Sequence, residues 1–314
     1  VKKKSFLAVI LFILFGFLIP FFSSPSLLYR TFPQGLIARR RTDKLSPGWE
    51  QENEDALPPR KILGLKDLPF ASLPSSSEAS PVSFLASSVC QEKLSSWLVK
   101  QKGQWGVVIY DLVQKEKFSF GGEKKFHAAS VMKLVTAVSV FDWLKENQKE
   151  LDFLVWGQSL RQRLTLLINK SDNQQWADLG ALVTLKRSQR ILEENGLTGS
   201  NIYSNTMTAE DVFLLLKKIY EGRLLDKESR NFLFSLMQNT INEKRIPQGV
   251  PAEIPVIHKY GTWQAHIHDA GIVFEENPYI LVVLTRQAPQ AEAKIAEFSA
   301  QVYQIFSQGK CSLK

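Results

Sequence analysis

The chain has 314 residues, with 39 Lys and Arg against 31 Asp and Glu, a net charge of +8. Hydrophobic residues make up 44% and charged residues 22%, which is the composition of a folded protein and excludes a wholly disordered one. Two cysteines exclude a disulfide-scaffold fold and a four-cysteine zinc site, and four histidines leave little material for multi-metal chemistry.

The charge is unevenly distributed. Residues 1–85 carry 11 Lys/Arg and 7 Asp/Glu, a net of +4, and the remaining 28 and 24 leave another +4 on a much longer stretch. With no basic stripe and no interleaved aromatics there, nucleic-acid binding is excluded as a function class. The chain opens on Lys2, Lys3 and Lys4, followed by an apolar run from Phe6 to Phe22. A basic start before an apolar stretch is an export signal, and residues 1–22 are read as a signal peptide or N-terminal membrane anchor. Residues 23–85 hold eight of the fourteen prolines and no sustained apolar period. They are expected to form a disordered Pro/Ser-rich linker, reaching roughly 40–45 Å. Residues 86–314 are expected to form the folded domain.

Within that domain the pattern predicts a helix over 91–101, a strand over 105–112 and its hairpin partner over 117–120. A helix over 129–147 is apolar almost all round at its start, as a central buried helix is. Helices follow over 160–169, 174–195, 208–222 and 226–239. Thr208-Ala209-Glu210-Asp211 reads as a capping box with Asp in the acidic place, and Gly222 as a stop. Strands return over 254–260, 267–274 and 279–286, and a last helix runs from Pro289 to about 307. Two short strands cannot make a stable sheet alone. Joined to the three late strands, they predict an α/β protein of the α+β type: a five-stranded antiparallel sheet, the first and last helices on one face, and an all-helical subdomain. A site is expected in the cleft between the two.

Three segments carry chemistry. Ser130-Val131-Met132-Lys133 opens the buried helix, Ser171-Asp172-Asn173 sits in a break between helices, and Lys259-Tyr260-Gly261-Thr262 ends a strand. Ser130 and Lys133 lie one helical turn apart, so they share a face. A serine hydroxyl needs a base beside it, and lysine serves once burial or a neighbouring cation lowers its pKa. Each motif alone is common. In this order and on these elements they resemble the penicillin-recognising serine enzymes, the class A β-lactamase-like hydrolases and D-Ala-D-Ala peptidases, with their S-x-x-K, S-D-N and K-T-G elements. Phe126-His127-Ala128-Ala129 before the serine and His268-Asp269-Ala270-Gly271 after the last motif agree, and the resemblance spans about 88–308.

The resemblance implies a Ser130 acyl-enzyme formed with β-lactams or with D-Ala-D-Ala ends of peptidoglycan stem peptides. It implies Lys133 as base, Ser171 as proton relay to the leaving group and Asn173 as holder of the substrate amide. It implies Lys259, Tyr260 and Thr262 around the substrate carboxylate, and the backbone N–H groups of Ser130 and Thr262 as the oxyanion hole. No cofactor and no metal is called for. Location outside the cytoplasm, membrane-anchored or secreted, and a monomeric state complete the expectation.

Two departures stand out. Tyr260 takes the place usually held by Thr or Ser, putting a bulkier phenol where a small hydroxyl helps hold the carboxylate. The acid that class A β-lactamases use to activate the deacylating water is missing: the stretch 197–206 contains no Asp or Glu. Glu210 in a helix's first turn is a remote substitute. β-Lactam turnover is therefore expected to be slow, with a D-Ala-D-Ala carboxypeptidase or transpeptidase, or a non-turnover penicillin- or cell-wall-binding protein, as the alternative.

His266 and His268 alternate on a strand and share a face beside Asp269. A metal is conceivable there, but without a third ligand solvated or hydrogen-bonded histidines fit better. His127 and His258 sit beside the motifs and pack locally or line the cleft, and Trp263 forms a cleft wall or core. Cys90 begins the first helix and Cys311 follows the last. If the first and last strands are neighbours, those helices lie antiparallel and a Cys90–Cys311 disulfide can form.

Overall fold

The computed structural model describes residues 60, 85, 87–309 and 311. The expected signal or anchor and nearly all of the expected linker lie outside the described residues. The chain runs α1 (Ser88–Val99), β1 (Gln104–Asp111), β2 (Lys117–Phe120), β3 (Phe126–His127), α2 (Lys133–Glu146), β4 (Leu154–Val155), β5 (Gln158–Ser159), α3 (Leu160–Ile168), α4 (Asn173–Val183), α5 (Leu185–Glu194), β6 (Thr206–Met207), α6 (Ala209–Tyr220), α7 (Lys227–Leu236), β7 (Val256–Trp263), β8 (His266–Val273), β9 (Tyr279–Arg286) and α8 (Ala291–Gln308).

Strands β2-β1-β9-β8-β7, in that order, form one antiparallel sheet. Its central strands are apolar on both faces, so each residue class finds its own layer. Trp105, Val107 and Ile109 of β1 and Tyr279, Leu281 and Val283 of β9 pack with α1 and α8 through Leu94, Leu98, Phe298 and Val302. Val108 and Tyr110, with Ile280, Val282 and Leu284, face the helical body. That two-residue alternation with both sides buried explains why the strands read as near-continuous apolar runs. Cys90 and Cys311 are disulfide-bonded with Cα atoms 5.4 Å apart, tying the start of α1 to the residues after α8.

The helical body is centred on α2, whose residues from Lys133 to Phe141 are all buried. Three local differences from the sequence expectation matter. Ser130 lies in a 3₁₀ turn, Ala129–Met132, and α2 proper begins at Lys133. The expected helix over 174–195 is two helices, broken at Thr184, whose φ of 66° ends α4 while its side chain caps α5 at Arg187 N. No Gly or Pro marks that break; packing of α5 against α2 sets it. The capping box at α6 is half-formed: Thr208 Oγ1 accepts from Asp211 N, but the Asp211 carboxylate turns to Ser200 Oγ at 2.7 Å. Two short ladders, β3–β6 and β4–β5, were not anticipated.

No helix among the described residues is long and apolar enough to cross a membrane.

Candidate active site

Strand β7 forms the sheet edge beside the Ser130 turn. A Cβ on Gly261 would lie 3.1 Å from Ala128 O, 3.2 Å from Ala129 Cβ and 3.2 Å from Ser130 N. A side chain there would press on the turn backbone, so glycine suits the close approach of strand and turn. Ala129, immediately before the serine, is held at φ 50°, and Ser171 at φ 55°. Backbone strain at Ala129 and at Ser171 is the kind that surrounding structure must enforce. Two histidines enforce the first. His127 Nδ1 accepts from Ala129 N at 3.2 Å, and His268 Nε2 donates to His127 O at 2.8 Å while its Nδ1 accepts from Thr285 N at 3.0 Å. Burial holds His268 neutral, its pKa down to about 4, as this donor–acceptor pattern requires.

The three sequence motifs converge. Lys133 Nζ donates to Asn173 Oδ1 at 2.8 Å, to Ser171 Oγ at 3.3 Å and to the Ser171 carbonyl. Lys259 Nζ donates to the same Ser171 Oγ at 2.9 Å and to Tyr260 O at 3.1 Å. The Ser171 hydroxyl thus sits between two lysines. A serine oxygen that accepts from both keeps its own proton free to donate elsewhere. Asp172 plays a structural part, capping α4 through Gln175 N at 2.8 Å.

Burial lowers the Lys133 pKa to about 8, against the opposing pull of Asp172. Burial first, and then the Lys133 charge, bring Lys259 well below its ordinary value. About a tenth of Lys133 is then neutral at pH 7, which is enough for it to serve as a base.

Backbone direction supplies a donor. His258 N–H points outward from the sheet, to Met237 O at 2.9 Å. Peptide N–H groups alternate along a strand, so Thr262 N–H, four residues on, also faces outward from the same free edge. Ser130 N lies beside the same strand, 3.2 Å from where a Cβ on Gly261 would stand.

Sequence reasoning missed Arg245, which lies in the loop before β7. Its guanidinium is 2% exposed and donates to Thr262 Oγ1 at 2.6 Å, Gly261 O at 3.0 Å and His268 O at 2.7 Å. It lies 5.7 Å from the centroid of the Tyr260 ring, and Lys259 Nζ lies 4.1 Å from it. The phenol therefore separates two cations, and burial raises its pKa against the opposing pull of Ser171 and Arg245. An arginine in an aperiodic loop gives no sequence signal.

The remaining candidates fall elsewhere. Asp269 does not join His266 and His268; it faces the other side of β8 and takes His258 Nδ1 at 2.8 Å. His258 is fully buried between Asp269 and Glu243, whose Oε1 is 3.0 Å from its Nε2. Those two carboxylates outweigh its burial and raise its pKa to about 9. His266 lies against the rings of His127, Trp263 and His268. No group of three or more His, Cys, Asp or Glu among the described residues is placed to hold a metal. Trp263 is largely exposed and stacks on His127 at 4.0 Å, forming a wall beside Thr262. Glu210 is turned to β2, bound to Lys117 at 2.9 Å and Ser119 Oγ at 2.6 Å, away from the serine turn.

The sequence profile of the "Beta-lactamase enzyme family" matches residues 90–155 and 157–306. No curated protein matches the sequence. Among solved structures, PBP-A aligns at 21% identity over 70% of this chain and 97% of its own, with a TM-score of 0.64. The TLA-1 extended-spectrum β-lactamase aligns at 20% identity over 69% and 98%, with a TM-score of 0.65. A β-lactamase from Chitinophaga pinensis aligns at 22% over 70% and 100%, with a TM-score of 0.64. At these identities the likeness shows a shared fold.

Proposed function

The chain belongs to the β-lactamase enzyme family, a family of serine hydrolases, and from that premise we propose that it forms an acyl-enzyme on Ser130 with β-lactams or D-Ala-D-Ala-type peptides and releases it slowly. The observation that carries this reading is the Ser171 hydroxyl held between Lys133 and Lys259.

In the proposed cycle neutral Lys133 takes the Ser130 proton as Oγ attacks the carbonyl carbon. The oxyanion that forms is met by Ser130 N–H and Thr262 N–H, where one such donor contributes about 3–4 kcal/mol. The C–N bond breaks as the Ser171 hydroxyl donates its proton to the leaving nitrogen and is reprotonated from the lysine pair. Asn173 Oδ1 is taken by Lys133, which leaves its amide N–H₂ for a substrate carbonyl. Lys259, Arg245 and the Thr262 hydroxyl define a cationic edge for the substrate carboxylate, with Tyr260 narrowing it.

Slow release follows from the acids. The stretch 197–206 has none, Glu210 is committed to Lys117 and Ser119, and Asp211 to Ser200. A peptidase or transpeptidase role is the second reading, because a relative of the same fold, a point mutant of PBP-A, was captured as an acyl-enzyme with penicillin G. The basic and apolar N-terminal run and the disulfide support a place outside the cytoplasm, tethered through residues 1–22.

Incubation with a fluorescent penicillin, followed by dilution into unlabelled drug, tests the reading. Labelling that persists for many minutes is expected, and a D-Ala release assay then separates peptidase from binding protein. Rapid release would overturn the slow-deacylation part, and no labelling at any concentration would overturn the acyl-enzyme.

A further inference from the structure

Arg60 lies far from the folded unit in sequence, yet its side chain is 9% exposed and packed on the loop that precedes β7. Its guanidinium donates to Pro251 O at 2.9 Å and Val250 O at 2.8 Å, with Ile254 O at 3.5 Å, and its backbone N–H donates to Asn239 Oδ1 at 3.1 Å. The Asn239 carbonyl in turn accepts from Asn169 Nδ2, two residues before Ser171.

Glu243 shows what the arginine does electrically. Its Oε1 is satisfied by Thr240 N, Thr240 Oγ1 and His258 Nε2, whereas Oε2 is buried with no hydrogen bond. The cation facing that oxygen is Arg60, with Nε at 3.8 Å. Arg245 stands two residues further on and leaves the loop to meet Thr262 and Gly261. Arg60 therefore fastens both limbs of the loop, at Asn239 and Glu243 and again at Val250 and Pro251, and Arg245 lies between them, facing the strand edge.

We propose that Arg60 is a positioning residue for substrate binding: it fastens the 239–254 loop so that Arg245 is set against β7 where a substrate carboxylate docks. Arg60 itself would then belong to the working enzyme. A planar fork meeting several carbonyls and a carboxylate at once cannot be reproduced by lysine, so Arg60→Lys should restore only part of the function. The activity arm rests on the Ser130 acyl-enzyme reading.

The test uses the full chain with Arg60→Ala and Arg60→Lys. Acylation by benzylpenicillin is resolved into an apparent dissociation constant and a limiting rate. For Arg60→Ala the constant should weaken about tenfold, the scale of one weakened charge-assisted contact, with the limiting rate within about twofold. Benzylpenicillin methyl ester, which lacks the carboxylate, should react with wild type and variant alike. Independently of any chemistry, hydrogen exchange should quicken in 239–254 and stay unchanged in β9. Equal slowing of acid and ester, or an unchanged constant, would overturn the proposal. If the wild type is not acylated at all, the acyl-enzyme reading fails on its own, and unchanged exchange in 239–254 would then overturn this one.

Discussion

His258 offers a sharp test of the buried electrostatics behind the site. It is fully enclosed, with Asp269 Oδ1 2.8 Å from one ring nitrogen and Glu243 Oε1 3.0 Å from the other, so the imidazolium is the form the fold prefers. Its pKa rises from 6.5 to about 9 in the folded chain. That difference corresponds to about 3 kcal/mol. The sign follows from proton counting. Between pH 6.5 and 9 the folded protein keeps a proton the unfolded chain has lost, so stability falls by about 1.4 kcal/mol per pH unit. The contribution is complete below pH 6.5 and gone above about 9. Lys133 acts oppositely: its pKa is lowered to about 8, so the unfolded chain holds the extra proton above that pH and stability rises. Lys259, also lowered, has the same sign as Lys133. Both lysines therefore offset part of the His258 loss in wild type, Lys133 from about pH 8 upward. Urea unfolding of wild type and His258→Asn at intervals from pH 6.5 to 9 subtracts the common terms. The variant should be less stable throughout, with the gap narrowing by about 3 kcal/mol across the range. NMR titration of the wild-type imidazole gives an independent check that needs no variant. A gap that does not change with pH, or an imidazole titrating at or below 6.5, would refute the reasoning.

Further outcomes follow from the geometry. The limiting acylation rate should climb with pH through an apparent pKa near 8, because the neutral lysine is the base, and Lys133→Ala should lose both rate and limb; a pH-flat profile would contradict the role. Gly261→Val places carbon against Ala128 O and Ser130 N, and should slow acylation by about tenfold or more through displaced oxyanion donors, measured by stopped flow. Replacing Cys90 and Cys311 by serine opens a loop of over 200 residues and should lower unfolding free energy by about 2–5 kcal/mol in denaturant titration, with acylation of the folded fraction intact.

The sheet and the motifs were legible because their signals are local. β1 and β9 bury both faces, and their apolar runs declared it. Lys133, Ser171, Asn173 and Lys259 come together as their motif order implied. What could not be read depends on partners distant in sequence. The break at Thr184 lacks Gly or Pro and is set by packing. His266 and His268 have their rings 5.7 Å apart, as their alternation implied, but the partners of His268, Thr285 N on β9 and His127 O on β3, lie far off in sequence. Arg245 and Arg60 lie in segments without period, and only three-dimensional proximity to Gly261, Thr262 and Glu243 gives them meaning.

The central claim is covalent chemistry at one serine. Intact-mass spectrometry after incubation with benzylpenicillin, followed by peptide mapping, tests it directly. The expected result is a single adduct of the drug's full mass on the peptide containing Ser130, persisting over many minutes and absent in Ser130→Ala. An adduct retained in Ser130→Ala, or none on wild type at saturating drug, would contradict it.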